Sequence, residues 1–260
     1  MVNVLDKNSP IPLYYQLAED LRDKIRAGEL TPGEQVPTER ELSELHGISR
    51  MTVRQALQFL VREEVLVSRQ GSGTYVAEPK LTYDPLHVLG FTENMMQRGL
   101  ENVSSKVLEH VIAKPPSNVA TRLKLGKSQR ATKIMRLRLS GAMPLLLETV
   151  WVPAQLFPGL EKTDMANQSL YAVMRERYGI YPAGSLHSIE AVQANDYECD
   201  LFGLGNCAPM ILLTGVTVDQ HDRPIEYFKA AYRGDRFEIV LDSRVKTNVS
   251  NVSMMSIAMR

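Results

Sequence analysis

Cysteine is nearly missing from this 260-residue chain, with Cys199 and Cys207 the whole complement. Neither has a second cysteine or a histidine at metal-ligand spacing, so no zinc-type site is expected. Thiols in a reducing compartment fit the pair better than a disulfide. No apolar run approaches the roughly 18 residues of a membrane helix. The segment 1–12 also has no apolar stretch of the signal-peptide kind. A cytoplasmic protein with no membrane partner is the expectation. Excess charge is absent too, since 30 Lys plus Arg balance 30 Asp plus Glu. Any affinity for nucleic acid must therefore come from where the charges sit. The length and the 44% hydrophobic content suit two folded domains, each with its own core.

Periodicity divides the chain. Leu13, Leu17, Leu21 and Ile25 recur every four residues and predict an amphipathic helix opened by Pro12 and closed by Gly28. After the turn Thr31-Pro32-Gly33, Thr38 and Glu41 stand at capping-box spacing before a short helix that Gly47 stops. Ser49 can cap a third helix whose apolar positions are Val53, Ala56, Leu57, Leu60 and Val61. Two short β segments, 65–67 and 74–76, then flank a Gly-rich tip.

Residues 1–78 carry nine basic and twelve acidic side chains, but the acids gather between Glu19 and Glu44. From His46 to Val76 four arginines face only Glu63 and Glu64. Arg50, Arg54, Gln58 and Arg62 follow at i, i+4 spacing, a polar stripe beside the apolar one. Such a helix can lie in the major groove, where Arg pairs with guanine while Ser49, Thr52 and Gln55 reach phosphates or base edges. Arg50 and Arg54, nearest the helix start, are the specificity candidates. Arg40 would lie over the DNA backbone, and the tip with Gly71, Ser72 and Gly73 could approach the minor groove. Solvated surface arginines are the alternative for the stripe alone. The full order of helix, capped short helix, arginine helix and glycine hairpin is more specific.

Pro79 and Pro85 mark a linker over 77–88, placing a DNA-binding domain at 1–76 and a second domain at 89–243. Strand patterns fall at 103–113, 130–139, 145–152, 185–194, 210–218, 224–233 and 236–241, and helices at 92–98, 117–124, 169–178 and 195–202. This mixture predicts an α+β fold around a largely antiparallel sheet. The tail 244–260 has no clear period and is expected to be loosely ordered.

Arg136 and Arg138 are two apart in a strand and share a face. Two guanidiniums on one face call for water or an anion, unless surface acids pair with them. Thr92 and Ser169 stand at helix starts, where backbone amides attract phosphate or carboxylate. Glu148 and Glu226 lie in strands and can accept from ligand hydroxyls or amides, with Tyr171 and Tyr232 adding phenols and Phe91 a flat wall. For Tyr171 ordinary packing is an equal alternative. Gly126-Lys127-Ser128 imitates the end of a nucleotide-binding loop, but Thr121 occupies a required glycine position.

Residues 9–77 resemble the winged helix-turn-helix of GntR-type repressors. The carrying segments are Pro12-Leu13-Tyr14-Tyr15-Gln16-Leu17, Pro37-Thr38-Glu39-Arg40-Glu41-Leu42, Ser49-Arg50-Met51-Thr52-Val53-Arg54 and Arg69-Gln70-Gly71-Ser72-Gly73-Thr74-Tyr75-Val76. Residues 83–241 resemble the chorismate-lyase-like effector (UTRA) domain of the HutC subfamily, through Gly90-Phe91-Thr92, Arg136-Leu137-Arg138, Glu148-Thr149-Val150-Trp151-Val152-Pro153, Ser169-Leu170-Tyr171 and Pro224-Ile225-Glu226-Tyr227. The resemblance implies a homodimeric repressor that reads palindromic double-stranded DNA. It puts DNA contacts on Arg40, Arg50, Arg54 and Gly71, with Ser49 and Thr52 on phosphates. It further implies a phosphosugar site, with phosphate on Thr92, Arg136, Arg138, Ser169 and Tyr171 and sugar on Phe91, Glu148, Glu226 and Tyr232. An amino-sugar phosphate such as N-acetylglucosamine 6-phosphate leads as effector. Urocanate, a fatty acid, another metabolite, and a lyase-like enzyme stay open. No catalytic residue, cofactor or metal is assigned.

Overall fold

The computed structural model describes residues 5–85, 89–100, 102–166, 168–205 and 208–241, and the chain divides into two compact units, Met1–Leu81 and Thr82–Arg260. His87, Cys207 and the tail 244–260 lie outside the described residues.

The first unit is built by three helices and a hairpin. Helix α1 (Leu13–Arg26) buries Leu17, Ala18 and Leu21 from its apolar stripe. Helix α2 (Glu39–His46) starts at a complete Thr38–Glu41 capping box and ends at Gly47, whose φ of 60° is the left-handed conformation open to glycine. The cap satisfies otherwise orphaned amides, worth roughly 1 kcal/mol. Ser49 then caps helix α3 (Arg50–Arg62), its Oγ accepting from Thr52 N at 3.1 Å. Val53, Ala56, Leu57 and Leu60 of α3 meet α1 and Leu42 of α2 in one core, which Leu66 and Val76 of the hairpin close. Strands β1 (Leu66–Arg69) and β2 (Gly73–Val76) pair antiparallel from Leu66 with Val76 to Arg69 with Gly73, so the tip is shorter than the segments expected at 65–67 and 74–76 leave. Gln35 bridges to Tyr75 along the other side of β2.

Strand β3 (Leu81–Tyr83) falls inside the segment expected as linker and pairs with β10 (Phe237–Ile239). Its cause is Tyr83, buried with its ring 5.1 Å from that of Tyr232. Three residues are too few to display alternation in a sequence.

In the second unit a six-stranded sheet runs in the order β4-β5-β6-β9-β8-β7, every neighbour antiparallel. Its strands are β4 (Val103–Ala113), β5 (Ala131–Ser140), β6 (Met143–Pro153), β7 (Pro182–Gln193), β8 (Pro209–Asp219) and β9 (Pro224–Arg233). Two-residue periodicity sorts β5: Ile134, Arg136 and Arg138 share one face, Ala131 and Leu137 the other. On the first face, helix α6 (Leu170–Tyr178) buries Tyr171, Val173 and Met174 against Ile134, Val150 and Val152. On the second, α5 (Ser117–Arg122) packs Val119 beside Trp151, and α7 (Asp196–Phe202) packs Phe202 beside Leu137 and Leu147. Each fully buried large side chain contributes roughly 1.5–3 kcal/mol. Helix α4 (Phe91–Gln97) buries Phe91 and Met95. Helix α5 stops at Arg122, before the expected 124, because Lys124 takes a left-handed φ of 54°.

Candidate functional site: an arginine helix and a buried cationic cavity

In the first unit, Arg50, Arg54, Gln58 and Arg62 form an exposed row along α3, and Arg40 is exposed in the first turn of α2. A groove between the start of α2, this face of α3 and the hairpin is lined by Thr38, Glu39, Arg54, Gln58, Arg62 and Gly73. Arg54 is held there by a bidentate pair, its Nε and Nη2 each donating to Glu39 at 2.8 Å. The hydrogen bond from Arg54 holds the Glu39 carboxyl below its ordinary range. The remaining guanidinium edge of Arg54 is left for another partner. Ser49 is exposed, its hydroxyl 2.9 Å from that of Thr52. At the hairpin tip, Gly71 (φ +73°) faces open space, the Ser72 hydroxyl meets Tyr75 at 2.6 Å, and Gly73 (φ +129°) abuts Gln35. The sequence reading missed Glu39 because only the α2–α3 packing brings it to Arg54.

In the second unit, every residue expected at the effector site lines one cavity: Phe91, Thr92, Arg136, Arg138, Glu148, Ser169, Tyr171, Glu226 and Tyr232. Adjacent-strand register sets Arg136 opposite Glu148. Arg136 Nη2 lies 2.7 Å and Arg138 Nη1 3.1 Å from the same oxygen, Glu148 Oε1. Both guanidiniums are 3% exposed, so the partner is a buried carboxylate and not a surface acid. Burial by itself would raise the Glu148 pKa, but the charges of Arg136 and Arg138 hold it below the usual range. For Arg138, burial outweighs the pull of Glu148 and lowers its pKa. Arg136 also donates to the carbonyls of Gln168 at 3.2 Å and Met165 at 3.4 Å. Arg138 donates to Thr92 Oγ1 and lies 4.8 Å over the Phe91 ring. Neither arginine Nε has a hydrogen-bond partner among the described residues.

Ser169 caps α6, accepting from Ala172 N at 3.2 Å, and donates to Glu93 Oε1 at 3.3 Å. Across the cavity, Glu226 Oε2 accepts from Tyr171 at 2.7 Å and from Thr217 at 2.9 Å. Burial pushes the Glu226 carboxyl up to about 7, and those hydrogen bonds offset it only in part. Burial also raises the Tyr171 and Tyr232 phenols well above their ordinary value, and Tyr83 to about 12. Two guanidiniums against the single carboxylate of Glu148 leave the cavity cationic whenever Glu226, raised by burial, holds its proton. The cavity also holds Tyr83, Ser185, His187 and Phe228, which the sequence reading passed over. Inward alternation along β7 and β9 was the available signal for the last three.

A winged helix-turn-helix with an exposed arginine stripe, followed by a sheet domain around a polar cavity, has the build of a ligand-responsive transcription regulator. Residues 13–76 match the gntR family of bacterial regulatory proteins and residues 97–238 match the UTRA domain. The chain belongs to the GntR family and carries a UTRA effector domain, which makes it a DNA-binding transcription regulator. It is 35% identical to the HTH-type transcriptional repressor NagR of Bacillus subtilis, over 91% of this chain and 96% of that protein. With the mannosyl-D-glycerate transport/metabolism system repressor MngR of Escherichia coli it shares 32% identity, over 91% of this chain and 98% of that protein. The solved structure of PhnF from Mycobacterium smegmatis aligns with a TM-score of 0.63 at 29% identity, covering 88% of this chain and 99% of that one. Among the described residues no helix is long and apolar enough to cross a membrane, and no group of His, Cys, Asp and Glu is placed to hold a metal.

Proposed function

We propose that the protein is a cytoplasmic homodimeric repressor that reads a palindromic operator and is controlled by a small phosphorylated metabolite, an amino-sugar phosphate such as N-acetylglucosamine 6-phosphate. In this reading residues 1–76 bind DNA, 77–88 link, and 89–243 bind effector. Arg50 and Arg54 read base edges. Arg40, Ser49 and Thr52 meet phosphates, and the tip Gly71-Ser72-Gly73 approaches the minor groove. The exposure of the α3 stripe supports this assignment.

One observation carries the effector class: two buried guanidiniums share a single carboxylate oxygen inside a cavity. An uncompensated buried cation is costly, and a bound anion removes that cost. Phosphate fits the donor set of Arg136, Arg138, Thr92 and Ser169. The ligand's hydroxyls would meet Glu148, Glu226 and Tyr232, with Phe91 and Tyr171 as walls. Tyr83, two residues past the end of the first unit, is part of the cavity wall. Occupancy would thus bear directly on the linker, within which Tyr83 lies, and bias the DNA-binding state through its differential affinity for two conformations.

Thermal unfolding against hexose phosphates, N-acetylated amino-sugar phosphates, the unphosphorylated sugars, urocanate and fatty acids tests this reading. A ligand at 100 times its Kd adds about 2.7 kcal/mol. Stabilisation by phosphosugars, lost in Arg136→Ala, is the expected result. Stabilisation by urocanate or lipid alone, or by nothing, would overturn it.

A further inference from the structure

His187 on β7, Gly215 on β8 and Phe228 on β9 stand abreast in register. The His187 and Phe228 rings approach to 5.4 Å between centroids, tilted by 55°. Gly215 permits this, because a Cβ at that position would lie 2.5 Å from Phe228 Cζ and 2.4 Å from the Leu186 carbonyl oxygen. Both rings line the effector cavity, and so does Ser185, on the same face of β7. His187 Nδ1 is buried with no hydrogen-bond partner among the described residues, an unmet demand that a ligand group can answer. Burial lowers the imidazole pKa, so the ring is neutral. Ser185 Oγ donates to the Val216 carbonyl at 3.2 Å, lies 3.5 Å from the Thr217 hydroxyl, and has a lone pair left for a ligand donor.

The β7 end of this row, His187 with Ser185, is remote from the anion-attracting end, whereas Phe228 pairs with Val150, two residues along β6 from Glu148. Arg136 and Arg138 are on β5, and β6, β9 and β8 separate them from β7. Four strand spacings of about 4.8 Å put roughly 19 Å between the two backbones. Both ends nevertheless line the same cavity, so a ligand larger than a bare anion can touch the guanidiniums and the Phe228–His187 side together.

We propose that His187, with Ser185 and Phe228 around the gap at Gly215, is a distal subsite that selects the effector by an uncharged group bearing both a hydrogen-bonding atom and a small apolar part. A neutral imidazole beside an aromatic face supplies no counter-charge for a second anion, and it offers a partner to an amide or hydroxyl. The proposal rests on the anionic-effector reading and adds the determinant at the other end of the molecule.

Calorimetric titration of the full chain with inorganic phosphate, glucose 6-phosphate, glucosamine 6-phosphate and N-acetylglucosamine 6-phosphate separates the two ends. His187→Ala is expected to weaken the best-bound phosphosugar by roughly tenfold, the worth of one hydrogen bond and its packing, and to leave inorganic phosphate unchanged. His187→Asn, which keeps a polar atom near the Nδ1 position, should recover part of the loss. Arg136→Ala should weaken phosphate and phosphosugar alike. Unchanged phosphosugar affinity in His187→Ala, or an equal loss for phosphate, overturns the distal subsite while the anion site stands. No binding of any of these probes by the wild-type chain overturns both.

Discussion

Truncating Glu148 should unfold the effector domain more readily than loss of almost any other single side chain, and added anion should undo part of the damage. Glu148 Oε1 is 2.7 Å from Arg136 and 3.1 Å from Arg138, with both guanidiniums 3% exposed. With charge centres about 4 Å apart and an effective dielectric near 20, each attraction amounts to roughly 4 kcal/mol before desolvation is subtracted. Removing one partner of a buried ionic cluster typically costs about 3–5 kcal/mol, because the remaining charges lose their counter-ion. For a domain of this size that is a fall in Tm of roughly 6–20 °C. Scanning calorimetry of Glu148→Ala measures it directly, and Glu148→Gln, which keeps shape and one acceptor, should lose less. Phosphate or sulfate should raise the Glu148→Ala transition further than the wild-type one, since each supplies the missing negative charge. A loss below about 1 kcal/mol, the range of exposed ion pairs, with no response to anions, would refute the argument that these arginines are desolvated.

Arg50→Ala and Arg54→Ala should each cost roughly 1–3 kcal/mol on a selected operator and much less on random duplex, as fluorescence anisotropy would report. Equal losses on both duplexes would reassign them to phosphate contact. Glu226, raised by burial to about 7 from an ordinary 4.5, keeps its proton longer in the folded state than in the unfolded one. Its contribution is complete below pH 4.5 and disappears as pH rises towards 7, by about 3 kcal/mol at most. Glu226→Gln should flatten that part of the stability profile, and an unaltered profile would contradict the assignment. Gly215→Ala should destabilise the sheet by roughly 1–3 kcal/mol, because its Cβ meets both Phe228 and the β7 backbone. A neutral substitution in urea unfolding would show that the ring moves aside freely.

Local rules made most of the fold legible. Capping pairs such as Thr38–Glu41, the glycine at 47 and the four-residue leucine stripe of α1 are short-range signals, and the helices they mark are present. Two-residue alternation also put Arg136 and Arg138 on one face. It could not supply cross-strand register, so the sharing of Glu148 by both arginines emerged only from the fold, as did the Glu39 clamp on Arg54. Tyr83 escaped because its strand has three residues between prolines, and a tertiary contact with Tyr232 decides its conformation. For His187 the alternation along β7 marks only a face, and its meaning depends on a glycine and a phenylalanine distant in sequence.

Operator affinity measured with and without a saturating phosphosugar tests the central claim most directly. Duplexes selected from a random pool by the protein provide the operator, and calorimetry fixes the saturating concentration. A change of fivefold or more in operator affinity, as expected for a coupling of about 1–3 kcal/mol, and its loss in Arg136→Ala, is the predicted result. Full occupancy of the cavity with unchanged operator affinity would contradict the account.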